Sequence, residues 1–469
     1  MQRQDNSEMD ERGGEDDDVF SLYLDMSDSD SLDYQRSASA SLASLSQTEQ
    51  GRLIIMKHGG ISAILRLCGH QDVCVRRSAI YSVANLAAIP DIRRYIVIDG
   101  GVEVIRSASV LNRDVDFLRD SARSLSTLAV DIAIKEVMVS HDVPKALSKL
   151  AKSVDSETQR FASLALSNLC VATRNEKETI LKQGMLRIIS FLLRYPDLEV
   201  ERRASLAIAA LSLGSDENRM TMVDHGFVRS LLETTSYPDL KLRHCALLAL
   251  NALALSTDPK PKQRIVEENG LSSLQAILRS CKDDESLHAC IYLLGSLAED
   301  ADVLNVIVDM SLLPLIVQKL EDGSIETKRS AAYFLALLSE SQECHDRMNE
   351  AGALEVITAI TSLVDEECQY YGAFALALLA KNKSFQVPLT KMGGVRPLVS
   401  IMATHSEARH WAALALLKLA DNFNNHMTIA EEGGIQALLQ LRGEHSAGVT
   451  VANLAKRAFK EEMKKWKSI

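Results

Sequence analysis

The feature that most constrains the fold is a short residue pattern that recurs along the chain roughly every 42 residues. In its clearest copy, Arg160 to Cys170, an Arg is followed by Ala two residues on, Leu four residues further and a closing Leu three residues later. Copies place the third of these positions at residues 42, 83, 125, 166, 208, 250, 294, 335, 376 and 416. A period this regular is typical of stacked repeats, each of which buries its apolar face against its neighbours. We therefore predict one continuous repeat array rather than several globular domains.

Each repeat is predicted to contain three helices. The pattern places small or branched side chains on one face of a long helix, such as Val73–Leu86. In the next repeat a short helix, Ile92–Ile98, precedes a Gly turn and a second helix, Val102–Leu111. Gly permits a positive φ or a sharp turn where a side chain would clash. It recurs before the second helix at Gly60, Gly101, Gly184, Gly226, Gly270, Gly352, Gly394 and Gly434, and is replaced by Asp142 and Ser311 in two repeats.

Charge and repeat pattern divide the chain into three parts. Residues 1–36 contain 12 acidic and 3 basic side chains, a net charge of −9 within a total of −11. Such a segment cannot bury enough apolar surface to offset its ordering entropy, so we predict a disordered acidic tail at 1–36. Its few apolar residues, between Phe20 and Met26, either bind a partner or dock locally. The array is predicted to span 37–455, followed by a basic capping helix at 456–469.

This organisation resembles the armadillo repeat. The resemblance rests on three helices per repeat, a Gly before the second helix and the closing Ala-x-x-x-Leu-x-Asn-Leu of the third. It covers about 415 residues in about ten repeats. The vacuolar armadillo proteins have a similar sequence pattern. The resemblance implies an all-α fold, a right-handed α-α superhelical solenoid whose third helices line a concave groove.

Importin-α is a family of armadillo proteins. A resemblance to it would imply a groove in which Trp and Asn side chains bind a basic peptide. Here the Asn position is kept only at Asn85 and Asn168, and the Trp position contains no Trp. The N-terminal tail is also negatively charged, whereas the importin-β-binding segment expected of an import adapter is basic. Import of basic cargo is therefore disfavoured. Tyr81, Asn85 and Asn168 still form a candidate peptide site, with ordinary packing between repeats as the alternative. Tyr292 occupies the position of Tyr81 in a later repeat.

Six residues before the third pattern position, nearly every repeat has a basic side chain or an imidazole. This basic row comprises Arg36, Arg77, Arg119, Arg160, Arg202, His244, His288, Arg329, Tyr370 and His410. If the row faces the groove, its arginines can donate paired hydrogen bonds to an acidic or phosphorylated ligand. If each arginine instead braces its repeat against a neighbouring acid, the row is structural. Equivalent histidines on stacked helices lie about 10 Å apart, too far apart to share a metal ion.

No motif in the chain indicates catalysis or cofactor binding. We find no phosphate-binding loop with Lys-Ser/Thr, no His-Glu-x-x-His, no Gly-x-Ser-x-Gly and no cysteine pair with zinc spacing. The eight cysteines are predicted to be reduced, buried thiols. Such thiols favour a cytoplasmic location, with the nucleus or the surface of an organelle as further locations.

The predicted function is a non-enzymatic scaffold that binds extended segments of partner proteins, without a cofactor, a metal or nucleic acid. The alternative is an adapter for nuclear transport or transcription that uses the acidic tail as a second partner site. We expect a monomer or weak dimer. Membrane tethering would occur only through partners, because no apolar run reaches the ~18 residues of a membrane span.

Overall fold

The computed structural model describes residues 19–320, 323–404 and 406–440, and every regular element in these ranges is a helix. The all-α class predicted from the sequence is confirmed. The chain divides into two compact units, Met1–Leu231 and Leu232–Ile469, which are described separately. In both units triplets of helices repeat in the predicted order, and we name their members H1, H2 and H3.

The N-terminal unit begins with a helix at 19–27 (α1) and an H3 helix, α2 (Leu32–Leu45), and four complete triplets follow. Their H1 helices are α3 (Glu49–Lys57), α6 (Pro90–Ile98), α9 (Ile132–Ser140) and α12 (Arg174–Lys182). Their H2 helices are α4 (Gly60–Cys68), α7 (Gly101–Leu111), α10 (Val143–Leu150) and α13 (Met185–Leu192). Their H3 helices are α5 (Val73–Leu86), α8 (Val115–Leu128), α11 (Ser156–Cys170) and α14 (Leu198–Ser212). The unit ends with α15 (Asp216–Asp224) and the first part of α16 (Phe227–Thr235), in which the boundary lies.

The C-terminal unit continues from α16 into the H3 helix α17 (Leu240–Ala254), and four complete triplets follow. Their H1 helices are α18 (Lys260–Glu267), α21 (Ala301–Asp309), α24 (Gln342–Glu350) and α27 (Lys383–Lys391). Their H2 helices are α19 (Gly270–Ser280), α22 (Leu312–Lys319), α25 (Ala353–Thr361) and α28 (Val395–Met402). Their H3 helices are α20 (Asp284–Ala298), α23 (Ile325–Glu340), α26 (Glu366–Leu379) and α29 (Ala408–Leu419). The last described elements are a 3-10 turn (Phe423–Asn425), α30 (His426–Glu431) and α31 (Gly434–Gln440).

The turn between H1 and H2 needs one residue in the left-handed region of backbone space. Where two glycines are adjacent, the first takes the positive φ, and before Gly270 the preceding Asn269 takes it, so the predicted turn residue is wrong by one position in those repeats. At Gly100 φ is 77°, whereas Gly101 begins H2 so close to H1 that an added Cβ would lie 2.6 Å from the Ile96 carbonyl oxygen. The left-handed glycines are Gly59, Gly100, Gly184, Gly226, Gly352, Gly393 and Gly433. Asp142, Asn269 and Ser311 take the same conformation in the remaining repeats.

Residues 19–36 differ from the predicted disordered tail, because α1 and the start of α2 are helical. Phe20 is only 2% exposed, and its ring centroid lies 5.5 Å from that of His58. Gly60 leaves room for this ring, since a Cβ there would lie 2.6 Å from Phe20 Cζ. Arg66 Nη2 also donates to Asp28 Oδ1 at 2.6 Å. Net charge predicted disorder, whereas the structure matches the alternative in which the apolar residues of the segment dock locally.

Other predictions for the chain ends lie outside the described residues. These are the remainder of the acidic tail at 1–18, the end of the array at 441–455 and the capping helix at 456–469. Within the described ranges, no single helix is long and apolar enough to cross a bilayer, although the bent pair α21 and α22, at 77°, reaches that length and composition together.

Ser311 provides a test of the turn requirement. Its φ is 54°, its side chain forms no capping hydrogen bond, and a non-Gly residue in this region costs about 1–2 kcal/mol. Ser311→Gly should therefore stabilise the C-terminal unit, by about 0.5–1 kcal/mol once the greater freedom of Gly in the unfolded chain is included. The urea midpoint should rise for Ser311→Gly and fall for the reverse change at the equivalent position, Gly352→Ser. A lower midpoint for Ser311→Gly would show that this turn is not strained.

Candidate functional site

Five arginines of the basic row form ion pairs with the aspartate that begins the next H3 helix. The shortest N–O distances are between 2.5 and 2.9 Å, and each pair joins residues 36 or 37 positions apart. We call these pairs the Arg–Asp clasps. They are Arg36–Asp72, Arg77–Asp114, Arg119–Asp155 and Arg160–Asp197 in the N-terminal unit, and Arg329–Asp365 in the C-terminal unit.

Each aspartate of a clasp is also the N-cap of its helix. Asp365 Oδ1 accepts from the backbone N–H of Cys368 at 3.0 Å, while Oδ2 accepts from Arg329 Nη2 at 2.7 Å. The hydrogen bond from Arg329 is the largest cause that lowers the pKa of Asp365 to about 2. One carboxylate thereby satisfies a free N–H at the start of an H3 helix and binds the preceding H3 helix.

The clasps match the alternative in which each arginine of the basic row braces its repeat against a neighbouring acid. The side chains of the five clasp arginines are still 34 to 51% exposed, so they stay accessible to a ligand. At Arg160 the clasp uses Nε and Nη2, and no hydrogen bond or ion pair within the described ranges involves Nη1. Ligand binding by the row stays a prediction. A ligand would have to bind arginines that are already paired with aspartates.

Arg202 and His288, two other predicted members of the row, have local partners. Arg202 forms an ion pair with Glu199 on its own helix, at 2.8 Å. His244 differs, because its buried Nδ1 has no hydrogen-bond partner within the described ranges. Burial raises the pKa of Asp283, but hydrogen bonds from Ser286 and a smaller contribution from His244 leave it below its usual value. His288 Nδ1 lies 3.0 Å from the Glu326 carbonyl oxygen and 2.7 Å from Ser330 Oγ. Because a carbonyl oxygen can only accept, we assign the proton to Nδ1.

The candidate peptide site around Tyr81 is occupied by contacts between repeats. The Arg123 guanidinium lies 5.4 Å from the Tyr81 ring centroid, and Nη2 donates to Asn85 Oδ1 at 3.1 Å. Asn85 Nδ2 in turn donates to Ser46 Oγ at 3.0 Å. Asn168 Nδ2 donates to the carbonyl oxygen of Ser126, on the preceding H3 helix, at 3.3 Å. These two asparagines therefore connect neighbouring H3 helices.

The C-terminal unit has a pocket of about 540 Å³ on three successive H3 helices, α20, α23 and α26. We call it the tyrosine pocket. Its lining includes three residues predicted from the sequence, namely His288, Tyr292 and Arg329. Sequence reasoning did not select the other six, which are Glu299, Glu326, Ser330, Tyr333, Glu367 and Tyr371.

Three tyrosine rings form a continuous row in this pocket. The ring centroids of Tyr292 and Tyr333 are 5.7 Å apart, and those of Tyr333 and Tyr371 are 5.4 Å apart. Tyr333 lies over Gly295, where a Cβ would be 2.7 Å from the ring, so the absent side chain permits this close approach. Tyr333 Oη donates to Glu299 Oε1 at 2.5 Å, which fixes the orientation of the ring.

The phenol groups of the pocket are held neutral. Burial is the largest cause that raises the pKa of Tyr292, Tyr333 and Tyr371, and neighbouring carboxylates raise it further. Burial alone would also raise the pKa of Glu299, but hydrogen bonds from Lys262 and Tyr333 lower it below its usual value. The pocket therefore combines uncharged aromatic faces with ionised carboxylates.

The residues that could support other chemistry are dispersed or buried. Within the described ranges, no group of three or more His, Cys, Asp or Glu side chains is arranged to hold a metal ion. All eight cysteines are free thiols, and only Cys74 is exposed. Burial raises the pKa of the thiols of Cys68, Cys170 and Cys290, which keeps them protonated and unreactive.

No protein-family model and no curated protein matches the chain. Among solved structures, an engineered protein from a structural genomics consortium has a TM-score of 0.76 and 27% identity, covering 85% of this chain and 98% of its own. Another, from work on a phosphorylation switch that controls the interaction between cadherin and β-catenin, has a TM-score of 0.73 and 17% identity. It covers 94% of this chain and 91% of its own. The helix triplets and these neighbours define the class of the protein, an all-α helical-repeat solenoid.

The two roles of a clasp aspartate can be separated by substitution at Asp365. Asp365→Ala removes the cap and the ion pair and should cost about 1–2 kcal/mol of unfolding free energy. Asp365→Asn keeps a capping oxygen and should cost less, because only the exposed ion pair is lost. Arg329→Met is the matched control, and its effect should equal that of Asp365→Asn in urea titrations. Equal losses for the Ala and Asn variants would mean that the cap contributes little.

The lowered pKa of Asp365 also predicts a pH dependence. A carboxyl group whose pKa is lowered by folding stabilises the native state above its unfolded pKa, ~3.9. That contribution is lost as the pH falls through the folded pKa, about 2. The difference in melting temperature between the unmodified protein and Arg329→Met should be constant from pH 5 to 8 and should shrink as the pH falls below about 4. A difference that is unchanged at pH 2.5 would contradict the ion pair.

Proposed function

We propose that the protein is a non-enzymatic interaction scaffold of the armadillo type, which binds extended segments of partner proteins along the exposed surface of its H3 helices. The tyrosine pocket is the observation that supports this most directly, because side chains of three successive H3 helices line one pocket. Its volume, about 540 Å³, lies in the range of ligand pockets generally.

The repeat geometry suits an extended ligand. Stacked helices lie about 10 Å apart, and an extended chain advances about 3.3 Å per residue. A bound segment would therefore advance about three residues for each repeat, and every third side chain would meet an equivalent position on the next H3 helix. A segment of about fifteen residues would cross five repeats.

In the N-terminal unit the basic row supports an acidic or phosphorylated ligand. Each clasp occupies one edge of a guanidinium, and a guanidinium has five N–H donors. At Arg160 the Nη1 group is left for a carboxylate or phosphate oxygen, and the side chain is 51% exposed. A ligand bound there would add to the clasp and would leave the helix cap in place.

The scaffold can be tested with a display library of fifteen-residue peptides, including phosphoserine, selected on the full-length chain. We expect acidic or phosphorylated segments to be enriched. Arg160→Gln should weaken their binding about five- to tenfold, because a charge-assisted hydrogen bond is lost. Arg174→Gln, the same change on the H1 helix α12, is the control and should have no effect.

Two outcomes would count against this proposal. The first is a library with no enriched sequence on the folded protein. The second is enriched peptides whose binding responds to the H1 variant and not to the H3 variant. Thermal melts of both variants separate loss of binding from loss of folding, since Arg160→Gln also breaks the clasp to Asp197.

A further inference from the structure

The charges around the tyrosine pocket favour a ligand of the opposite sign to the one that the basic row favours. Arg329 is engaged by Asp365, at 2.7 Å, and Glu299 is engaged by Lys262 and Tyr333. Two further carboxylates, Glu326 and Glu367, line the pocket and are exposed. No ion pair is formed by either of them in the part of the chain that the structure describes.

Glu367 is the carboxylate best placed to act on a ligand. It lines the same pocket as Tyr292, Tyr371 and Arg329. Burial raises the pKa of both phenols most, and the charge of Glu367 raises it further. After Asp365, Glu367 also contributes to the raised pKa of Arg329. Because Arg329 already donates two hydrogen bonds to Asp365 Oδ2, its charge is largely compensated there. The pocket thus keeps negative charge beside its aromatic rings.

Aromatic faces and carboxylates together attract cations. The negative face of a tyrosine ring attracts a cation within about 6 Å of the ring centroid, and the attraction increases when the site is partly desolvated. Tyr292, Tyr333 and Tyr371 are each partly buried, and the bond from Tyr333 to Glu299 holds the central ring in place. The row of rings is therefore a preorganised surface for a positively charged group.

We propose that the tyrosine pocket binds the guanidinium group of an arginine in an extended partner segment, with the planar cation stacked on the tyrosine row and hydrogen-bonded to Glu367. This inference rests on the proposed scaffold function and names the ligand of one part of its surface. Guanidinium fits better than ammonium because it is planar, is weakly hydrated, and can stack on a ring while its edge donates to a carboxylate. The volume of about 540 Å³ leaves room for the side chains that flank the arginine.

The direct probe is a fluorescein-labelled Gly/Ser peptide of nine residues with arginine at every third position, titrated into the full-length protein by fluorescence anisotropy. Versions with citrulline, lysine or trimethyl-lysine at the same positions are compared with it. Citrulline has the shape of arginine without its charge, and we expect it to bind at least tenfold more weakly. Lysine should bind several-fold more weakly than arginine. Tighter binding of trimethyl-lysine than of arginine would overturn the assignment to guanidinium.

Variants of the protein locate the binding. Glu367→Gln should weaken the arginine peptide about fivefold, whereas Glu350→Gln, the same change at an exposed residue of the H1 helix α24, should not. Gly295→Ala should also weaken it, because the new methyl group displaces the Tyr333 ring. Thermal melts confirm that each variant is folded. Equal affinity for arginine and citrulline, or no effect of Glu367→Gln, would refute the proposal.

The outcome is separable from that of the scaffold proposal. If the arginine peptide fails to bind while library-selected segments still bind the H3 surface, the pocket assignment is wrong and the scaffold stands. If neither class of peptide binds the folded protein, both proposals fail.

Discussion

The packing within each repeat depends on how closely H2 approaches H3, and small side chains at one position of the pattern permit that approach. The second position of the repeating pattern is Ala in most repeats, and Ala162 and Ala331 are fully buried. At Gly372 an added Cβ would lie 2.3 Å from Thr361 Oγ1, so even Ala would force a shift there. Any larger side chain would separate the two helices and expose the apolar faces between them, which have no other burial.

Because this contact is repeated, much of the local structure can be predicted from the sequence. The predicted third helix Val73–Leu86 has the observed bounds, and the predicted short helix Ile92–Ile98 is observed as Pro90–Ile98. The prediction of the turn failed by one residue at Gly100 and Gly101, because composition cannot tell which of two adjacent glycines takes the positive φ. In the acidic segment, net charge predicted disorder, and only the alternative of local docking accounts for the buried ring of Phe20.

The partners of the basic row could have been found by applying the period to acidic residues. An aspartate precedes the third pattern position by eleven residues in most repeats, as at Asp72, Asp114 and Asp155. The tyrosine pocket is harder to predict from the repeating pattern. Tyr292 and Tyr333 share a register, but Tyr371 reaches the same row from another one. That contact depends on the rotation of each helix against the next, which a pattern of residue types does not specify.

The clasps change the ligand charge that is expected from the sequence alone. A row of arginines looks strongly basic in the sequence, yet each arginine of a clasp is matched by an aspartate 36 or 37 residues later, so the row as folded is close to neutral. Under the proposed scaffold function, selectivity would come from the groups that the clasps leave over. In the N-terminal unit these include the free guanidinium edge of Arg160, and in the tyrosine pocket they are the carboxylates of Glu326 and Glu367. One structural pairing, repeated along the chain, can therefore leave surfaces of opposite preference on equivalent helices.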